Sequence, residues 1–253
     1  MTTTYPLQKR GKKMKIVVFG ANGATGQHLT KQSLAAGHTV IAVTRHPEAF
    51  PLQGDRLRVM WGDAYDLASV EQAIAGQDTV LSALGVPFTR KPITVYSQGI
   101  AHIIAAMNRY GVRRLTCISS SATGGEHDTG GGFLFDKVLQ PIVMSTIGRT
   151  TYADMARMEA LVMSSDLDWV IVRPSGLFET PVVTDYQVAE TQIRGQFTSR
   201  TDLADFLLKQ ATQDQYLRKV MAIATYAMTP SVFAFMTQEA FKKPEQQPKT
   251  PGL

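Results

Sequence analysis

The chain has 253 residues, 44% of them hydrophobic and 19% charged, which is an ordinary composition for one globular domain with a large core. Four basic residues before position 14 carry most of the net charge of +5, so the remainder is nearly neutral and gives no reason to expect a nucleic-acid partner. The sequence contains no apolar run of the roughly 18 residues that a membrane span needs, and its first residues lack the apolar core of a secretory signal. We therefore expect a cytoplasmic protein with no nucleic-acid or membrane partner.

The two ends of the chain differ in composition from its body. Residues 1–13 are basic and contain no carboxylate, and residues 242–253 are polar and rich in proline, so both ends are predicted to be disordered. Residues 14–241 then form a single domain. Its one cysteine, Cys117, lies in an apolar run, which excludes an internal disulfide and predicts a buried, unreactive thiol.

The stretch around which the chain is organised is residues 15–30, KIVVFGANGATGQHLT. Four apolar residues run directly into Gly20, Gly23 and Gly26, a pattern that indicates a strand, a tight turn and a helix. A Cβ atom at Gly20 or Gly23 would fill the space that a phosphate needs, and Gly26 would let the helix pack closely on the sheet. Because Thr25 lies at the start of the helix, the free N–H groups there and the positive end of the helix dipole favour a pyrophosphate. A glycine-rich turn that binds nothing is the alternative.

A second strand, residues 39–43, ends just before Arg45. In a dinucleotide-binding fold this position meets the adenosine ribose, where a carboxylate would bind the 2′-hydroxyl and a cation would bind a 2′-phosphate. No carboxylate follows until Glu48, so Arg45 favours NADP over NAD. The alternative is an ordinary solvated arginine in a loop.

The third and fourth strands place further candidates at the same edge of the sheet. Asp63 follows a short strand at residues 57–60 and would face the adenine or serve as a structural turn carboxylate. Asp66 is predicted to cap the next helix. Strand four, residues 79–84, leads to Gly85, which lets the chain pass close to a ligand. The apolar spacing then predicts a helix from 94 to 110.

Strand five, residues 114–118, ends in three serines at 119–121, and a hydroxyl there would stand beside the nicotinamide. The glycine-rich stretch 124–132 is predicted to be a flexible flap over the site. Its residues 126–128, Glu-His-Asp, are metal ligands by type. Three neighbours in a flexible loop rarely converge on one ion, so we expect no metal site.

The remaining segments continue the alternation of helices and strands. The apolar residues 133–147 would wall a flat substrate or pack on the core. Pro174 and Gly176 would form a rigid loop across the nicotinamide. The other predicted elements are a helix at 152–162, a strand at 169–172, a helix at 199–210, a strand at 220–224 and a helix at 228–241. This alternation predicts an α/β fold, a Rossmann-like doubly wound parallel sheet in a single domain.

Six motifs resemble the atypical short-chain dehydrogenase/reductases, specifically the NAD(P)H-binding group that includes flavin reductase (biliverdin-IXβ reductase) and nitrogen-metabolite-repression-type regulators. They are GANGATGQ (20–27), VTRHP (43–47), GDAYD (62–66), VYSQGIAHIIAAMNRYGVRRLTCISSS (95–121), SDLDWVIVRPSGLF (165–178) and SRTDLADFLL (199–208). The resemblance covers residues 14–225 and is specific to the family rather than to a substrate.

This resemblance implies a role for each matching residue. Ser120 stands at the place of a site serine in flavin reductase and is the candidate catalytic residue. Arg45 would bind the 2′-phosphate of NADP, and Asp63 would bind the adenine. Pro174 belongs to the predicted loop over the nicotinamide. Ser119 would contact the nicotinamide, and Leu84 and Gly85 would contact the adenine ribose. The pyrophosphate would be bound by Gly20, Asn22, Gly23, Thr25, Gly26 and Gln27.

The chain also departs from the family pattern. Gly176 stands where the family's pocket has a histidine, and Ala49 stands where a second arginine would bind the 2′-phosphate. These departures argue against biliverdin as the substrate and slightly weaken the assignment of NADP. The tyrosine–lysine pair of orthodox relatives is missing, because Tyr152 is followed at the fourth place by Ala156, and Arg157 comes one residue late. Without that acid, hydride delivery to a flavin or quinone is favoured over alcohol–ketone interconversion.

Two functions of different classes follow from these observations. The first is an NADPH-dependent oxidoreductase, a monomer or homodimer, that passes a hydride to a small planar, apolar acceptor oriented by Ser120. The second is a non-catalytic protein that senses NADP and signals through a partner. A nucleotide-sugar epimerase or dehydratase is disfavoured, because the stretch between strand six and the last strand is short.

Overall fold

The computed structural model describes residues 13–87, 91–125 and 148–227. Five helices lie in these ranges: α1 (Ala24–Ala35), α2 (Leu67–Ile74), α3 (Val95–Tyr110), α4 (Arg149–Met163) and α5 (Arg200–Lys209). The strands are β1 (Lys15–Phe19), β2 (Thr39–Thr44), β3 (Leu57–Trp61), β4 (Thr79–Ser82), β5 (Arg114–Ile118), β6 (Asp168–Pro174), β7 (Gly176–Phe178), β8 (Tyr186–Glu190), β9 (Phe197–Ser199) and β10 (Lys219–Thr225).

Eight of these strands form one twisted sheet in the order β3-β2-β1-β4-β5-β6-β10-β8. Every neighbouring pair is parallel except β10 and β8, which run antiparallel at one edge. The strand order reverses between β1 and β4, which is the point where open α/β sheets bind ligands. The predicted Rossmann-like parallel sheet is therefore confirmed.

Both faces of the sheet are covered, which explains why β1 reads as an unbroken apolar run. Val17 and Phe19 pack into the cluster shared with α2, α3 and α4. Ile16 and Val18 point the other way, into the cluster shared with α1 and α5. Alternation along a strand thus buries all four residues completely or nearly so, between 0% and 1% exposed.

Side-chain hydrogen bonds cap the starts of α2 and α3, and a glycine ends α3. The Asp66 carboxylate accepts from Ala68 N and caps α2, as predicted. Gly111 ends α3 in the left-handed region, with φ of 70°. The start of α3 is capped from outside, because the fully buried Asp154 of α4 accepts from Tyr96 N at 2.9 Å and from Ser97 N at 3.3 Å. This contact ties α4 to α3 beside the sheet.

Three strands, β7, β8 and β9, were not predicted from the sequence. β7 and β9 have three residues each and pair in parallel as a separate ribbon. Strand β4 stops at Ser82, two residues before the predicted end, and α4 begins at Arg149, three residues early. The predictions for residues 1–12, 126–147 and 228–253, which include the flap, the Glu-His-Asp stretch and the last helix, lie outside the described residues. Within the described ranges, no helix has the length and apolar character needed to cross a bilayer.

Candidate dinucleotide-binding site

Two of the three glycines in the first turn are required by the fold itself. Gly20 has φ of 72°, and a Cβ atom there would lie 2.3 Å from the Ala83 carbonyl oxygen at the end of β4. A Cβ at Gly26 would lie 2.2 Å from the Gly20 carbonyl oxygen. Backbone atoms of the chain therefore require both glycines, a reason that the sequence did not give, and the predicted contact of these residues with a phosphate stays a prediction.

Gly23 differs from its two neighbours in the motif. It is exposed, and its Cβ would meet only the Gly20 carbonyl oxygen, at 3.3 Å. Its φ of −67° and ψ of 157° are open to any residue. Gly23 is therefore the glycine whose missing side chain keeps the entrance to the turn open.

The N-terminus of α1 faces this opening and is suited to an anion. The first backbone bond of the helix runs from Gln27 N to Gly23 O at 2.9 Å, so the N–H groups of residues 24–26 have no partner within the helix. The first turn contains no acidic residue. Gln27 Nε2 donates to Asn22 O at 2.9 Å and braces the turn. Free N–H groups and the helix dipole together favour a phosphate at this point.

Arg45 lies directly after β2, beside the same turn. The turn is joined to β2 by a bond from Ala21 N to Val43 O at 3.4 Å. Arg45 is exposed and makes no ion pair or hydrogen bond within the described ranges. A cation without a partner at this place can bind a 2′-phosphate, and that role stays a prediction. Ala49 lies in a short 3₁₀ turn and contributes no charge.

The predicted adenine side is built by the ends of β3 and β4. One Asp63 carboxylate oxygen accepts from Tyr65 N at 3.0 Å, so Asp63 has the structural turn role, and its contact with adenine stays a prediction. Leu84 packs against α3 at Gly99, and Gly85 is exposed with no atom near its Cβ position. Gly85 thus leaves open space at the carboxyl end of β4.

The three serines after β5 have different surroundings. Ser119 is 2% exposed, and its Oγ lies 3.4 Å from Thr123 Oγ1. Ser120 is half-buried, and its Oγ accepts from Ala122 N at 3.2 Å, which caps the 3₁₀ turn Ser121–Gly124. The Ser119 side chain is buried, and the predicted contact of this residue with the nicotinamide stays a prediction. Ser120 keeps its hydroxyl proton available for donation and is the better candidate.

Next to these serines lies a buried ion pair that sequence reasoning missed. Arg173 Nε and Nη2 donate to the two Glu159 oxygens at 2.9 and 2.6 Å. The two side chains are only 9% and 4% exposed. Thr123 Oγ1 lies 2.8 Å from Glu159 Oε1. The available signal was a lone arginine within the apolar strand WVIVRP, since such a cation needs a buried partner.

The Glu159 carboxyl titrates below the ordinary glutamate range. Burial by itself would raise its pKa, but hydrogen bonds from Arg173, Ser119 and Thr123, together with the charge of Arg173, outweigh burial and lower the pKa. Glu159 is therefore a carboxylate at neutral pH. It also helps to raise the pKa of the buried Cys117 thiol, which burial raises most, so the prediction of an unreactive thiol agrees with the structure.

The loop predicted after strand six is largely absent. Pro174 is buried, is the last residue of β6 and pairs with Ile223 of β10, so it does not lie in a loop over the nicotinamide. Only Ser175 separates it from β7, whose Gly176 N donates to Gln196 O at 2.9 Å. The prediction of a loop at Pro174 was wrong because β6 continues through this residue by pairing with β10. Such a contact with a distant segment does not show in the local sequence pattern.

Tyr152 lies in the first turn of α4 and packs against the apolar cluster that contains Val17 and Phe19. Burial raises the pKa of its phenol, which is the opposite of the lowered pKa that an acid–base tyrosine needs. Ala156 is exposed one turn later. Among the described side chains, no group of three or more histidine, cysteine or acidic residues could hold a metal ion.

Comparison with solved structures identifies the class of fold. A short-chain dehydrogenase/reductase from Veillonella parvula, crystallised in complex with NADP, superposes with a TM-score of 0.70 at 19% identity, covering 85% of this chain and 95% of that one. At this identity the likeness establishes the fold alone, a Rossmann-like α/β fold that the chain shares with that protein.

Residues 20–214 match the family model described as NAD(P)H-binding, and the chain belongs to that NAD(P)H-binding family. A protein from Arabidopsis thaliana, called uncharacterised and chloroplastic, is 25% identical over 233 residues, 87% of this chain and 79% of that protein. An uncharacterised protein of Mycobacterium tuberculosis is 33% identical over 108 residues, 42% of this chain. The matched part makes up only 12% of the mycobacterial protein.

Replacing Glu159 by glutamine should destabilise the protein in a pH-dependent way. At about pH 7 the variant leaves Arg173 buried without a counter-charge, and we expect a loss of about 3 kcal/mol in the free energy of unfolding. Because the carboxyl pKa is lowered in the folded state, the stabilisation by Glu159 is present above the unfolded-state pKa and is lost as the pH falls through the folded pKa. Urea unfolding of both proteins at about pH 7 and about pH 3 should therefore show the difference shrinking in acid. An equal difference at both pH values would contradict the ion pair.

Proposed function

We propose that the protein is an NADPH-dependent reductase that transfers a hydride to a small planar acceptor such as a flavin or quinone. The observation that supports it most is an arrangement along one edge of the sheet. The free N–H groups at the start of α1 and Arg45, which has no partner among the described residues, lie at the same edge as the half-buried Ser120 after β5. Membership of the NAD(P)H-binding family and a fold shared with an NADP-bound neighbour support the choice of cofactor.

In this proposal the residues divide into an anchoring group and a reacting group. The N–H groups of residues 24–26 would bind the pyrophosphate, and Arg45 would bind the 2′-phosphate. NADPH, when bound, supplies the hydride and becomes NADP⁺. The acceptor thereby gains two electrons and one hydrogen, and it takes one proton from water. Ser120 would donate its hydroxyl proton as a hydrogen bond to an acceptor oxygen or nitrogen and so orient the ring.

The properties of Tyr152 support an acceptor of this chemical type. Tyr152 has a raised pKa and no lysine at the fourth following place, so it is a poor acid for a ketone. A flavin or quinone needs little acid catalysis, since its reduced form is stabilised by its own ring system. Positioning of the two rings would then supply most of the rate enhancement.

Turnover separates this proposal from the alternative of a non-catalytic NADP sensor. We expect the purified full chain to consume NADPH, followed by its absorbance, when FMN or a soluble quinone is added. Ser120→Ala should reduce kcat by about tenfold, the loss of one orienting hydrogen bond, while NADPH binding stays the same. Tight NADPH binding without consumption with any acceptor would favour the sensor instead.

Arg45→Ala should weaken NADPH binding by about tenfold to a hundredfold, because it removes a charge-assisted hydrogen bond to the 2′-phosphate, and should leave NADH binding almost unchanged. Trp61 ends β3 opposite Thr44 and is 53% exposed, so its fluorescence can report both titrations.

Arg58→Ala is the matched control for Arg45→Ala. Arg58 is also an exposed arginine, in β3, and its loss changes the net charge equally. Equal effects of the two substitutions on NADPH and NADH would show that Arg45 does not bind the 2′-phosphate.

A further inference from the structure

The buried pair of Glu159 and Arg173 joins α4 to the carboxyl end of β6, and Thr123 links Glu159 to the turn that follows β5. We infer that this pair and Thr123 are positioning residues, which hold the Ser121–Gly124 turn so that the hydroxyl of Ser120 stands at one fixed place. The inference rests on the proposed function, because it assigns these residues to the same hydride-transfer site. None of the three touches the reacting atoms in this scheme.

Thr123 is the link between the ion pair and the serine. Thr123 has one hydroxyl proton, which Oγ1 can donate either to Glu159 Oε1, 2.8 Å away, or to the Ser120 carbonyl oxygen, 2.7 Å away. Its backbone N–H donates to the same Ser120 carbonyl at 3.1 Å. Thr123 therefore holds Ser120 through the backbone and connects it to a carboxylate on a different element, α4.

The far end of the turn packs on the guanidinium. A Cβ atom at Gly124 would lie 3.0 Å from Arg173 Nη1, so a side chain at this position would crowd the arginine. Gln192 Nε2 donates to Gly124 O at 3.3 Å. The end of the turn at Gly124 is thus contacted by groups from two separate parts of the chain.

A buried ion pair is a weak device for stability alone, since apolar residues of similar volume often stabilise a core as well or better. The ion pair does fix orientation well, because the two hydrogen bonds from Arg173 to Glu159 hold the guanidinium plane in place. Glu159 stands on α4 and Arg173 in β6, both regular elements. A catalytic group held by such supports keeps its place more precisely than one on an unsupported loop.

Thr123→Val tests the inference without breaking the ion pair. It removes the hydroxyl but keeps the shape of the side chain. We expect kcat for the acceptor to fall by about threefold to tenfold, at most as far as in Ser120→Ala, because a displaced Ser120 hydroxyl loses part or all of its hydrogen bond to the acceptor. The Kd for NADPH should not change, because the anchoring residues lie at β1, α1 and β2. Thr123→Ser keeps the hydroxyl and should restore most of kcat.

Thr225→Val is the matched control. Thr225 Oγ1 donates to the buried Asp202 carboxylate at 2.6 Å, so this variant also removes a hydroxyl from a buried carboxylate, but away from Ser120. We expect its kcat to equal that of the wild type. Equal losses of kcat in both valine variants, or no loss in Thr123→Val, would overturn the inference.

Hydrogen exchange of the peptide that spans residues 119–125 supplies a readout that does not need turnover. Thr123→Val should speed exchange there, and Thr123→Ser should not, whereas unchanged exchange in the valine variant would overturn the inference. If the wild type binds NADPH but reduces no acceptor, the proposed reductase function fails. The exchange data then still decide whether Thr123 holds the turn.

Discussion

The close approach of two backbone segments, at Gly20 and Ala83, fixes the geometry of the carboxyl edge on which the site depends. Ala83 N donates to Phe19 O at 2.9 Å, and the Ala83 carbonyl oxygen fills the place where a Gly20 side chain would begin. The turn is joined to β2 on its other side through Ala21 N. Because it is held between β2 and β4, the turn aims the start of α1 across the crevice where the strand order reverses.

Arg45 and Arg173, two arginines at this edge of the sheet, differ in burial and therefore in the role that each can have. Arg45 is exposed and has no partner among the described residues, so its charge is available to a ligand. Arg173 is 8% exposed, and its charge is paired with that of Glu159. A buried cation without a partner would cost several kcal/mol, whereas an exposed one costs little. Under the proposed function, the site therefore has an exposed anion-binding part at β1 and β2 and a hydroxyl group held by the protein at β5 and β6.

Local patterns were enough to predict the parts of the fold that local physics determines. The apolar run of β1, the glycine spacing and the cap at Asp66 each depend on neighbours within a few residues, and the topology then places Arg45 at the edge. The ribbon of β7 and β9 could not be found this way. It is held by distant partners, such as the bond from Thr198 Oγ1 to Ile223 O at 2.7 Å.

The sequence pattern around the three serines is enough to tell the faces of Ser119 and Ser120 apart. Side chains alternate along a strand, so Ser119 continues the face of the buried Cys117, and Ser120 takes the other face. The Glu159–Arg173 pair was harder, because its members are 14 residues apart on elements whose mutual packing no local pattern gives. The same holds for Pro174, whose strand pairing with Ile223 is a long-range contact.

The most direct test of the account is a titration of Gly23→Asp with NADPH. Gly23 is the N-cap of α1 and has a backbone conformation open to aspartate, which is itself a good N-cap, so the variant should fold at least as well as the wild type. Its carboxylate would occupy the free N–H groups and repel the pyrophosphate. Gly54→Asp, at an exposed glycine with no atom near its Cβ position, adds the same charge elsewhere.

The account predicts that Gly23→Asp loses at least about a hundredfold in NADPH affinity, the effect of a like charge placed against the phosphates, while Gly54→Asp binds as the wild type does. Circular dichroism and urea unfolding would show that both variants are folded. A folded Gly23→Asp protein that binds NADPH as tightly as the wild type would contradict the placement of the dinucleotide at this turn.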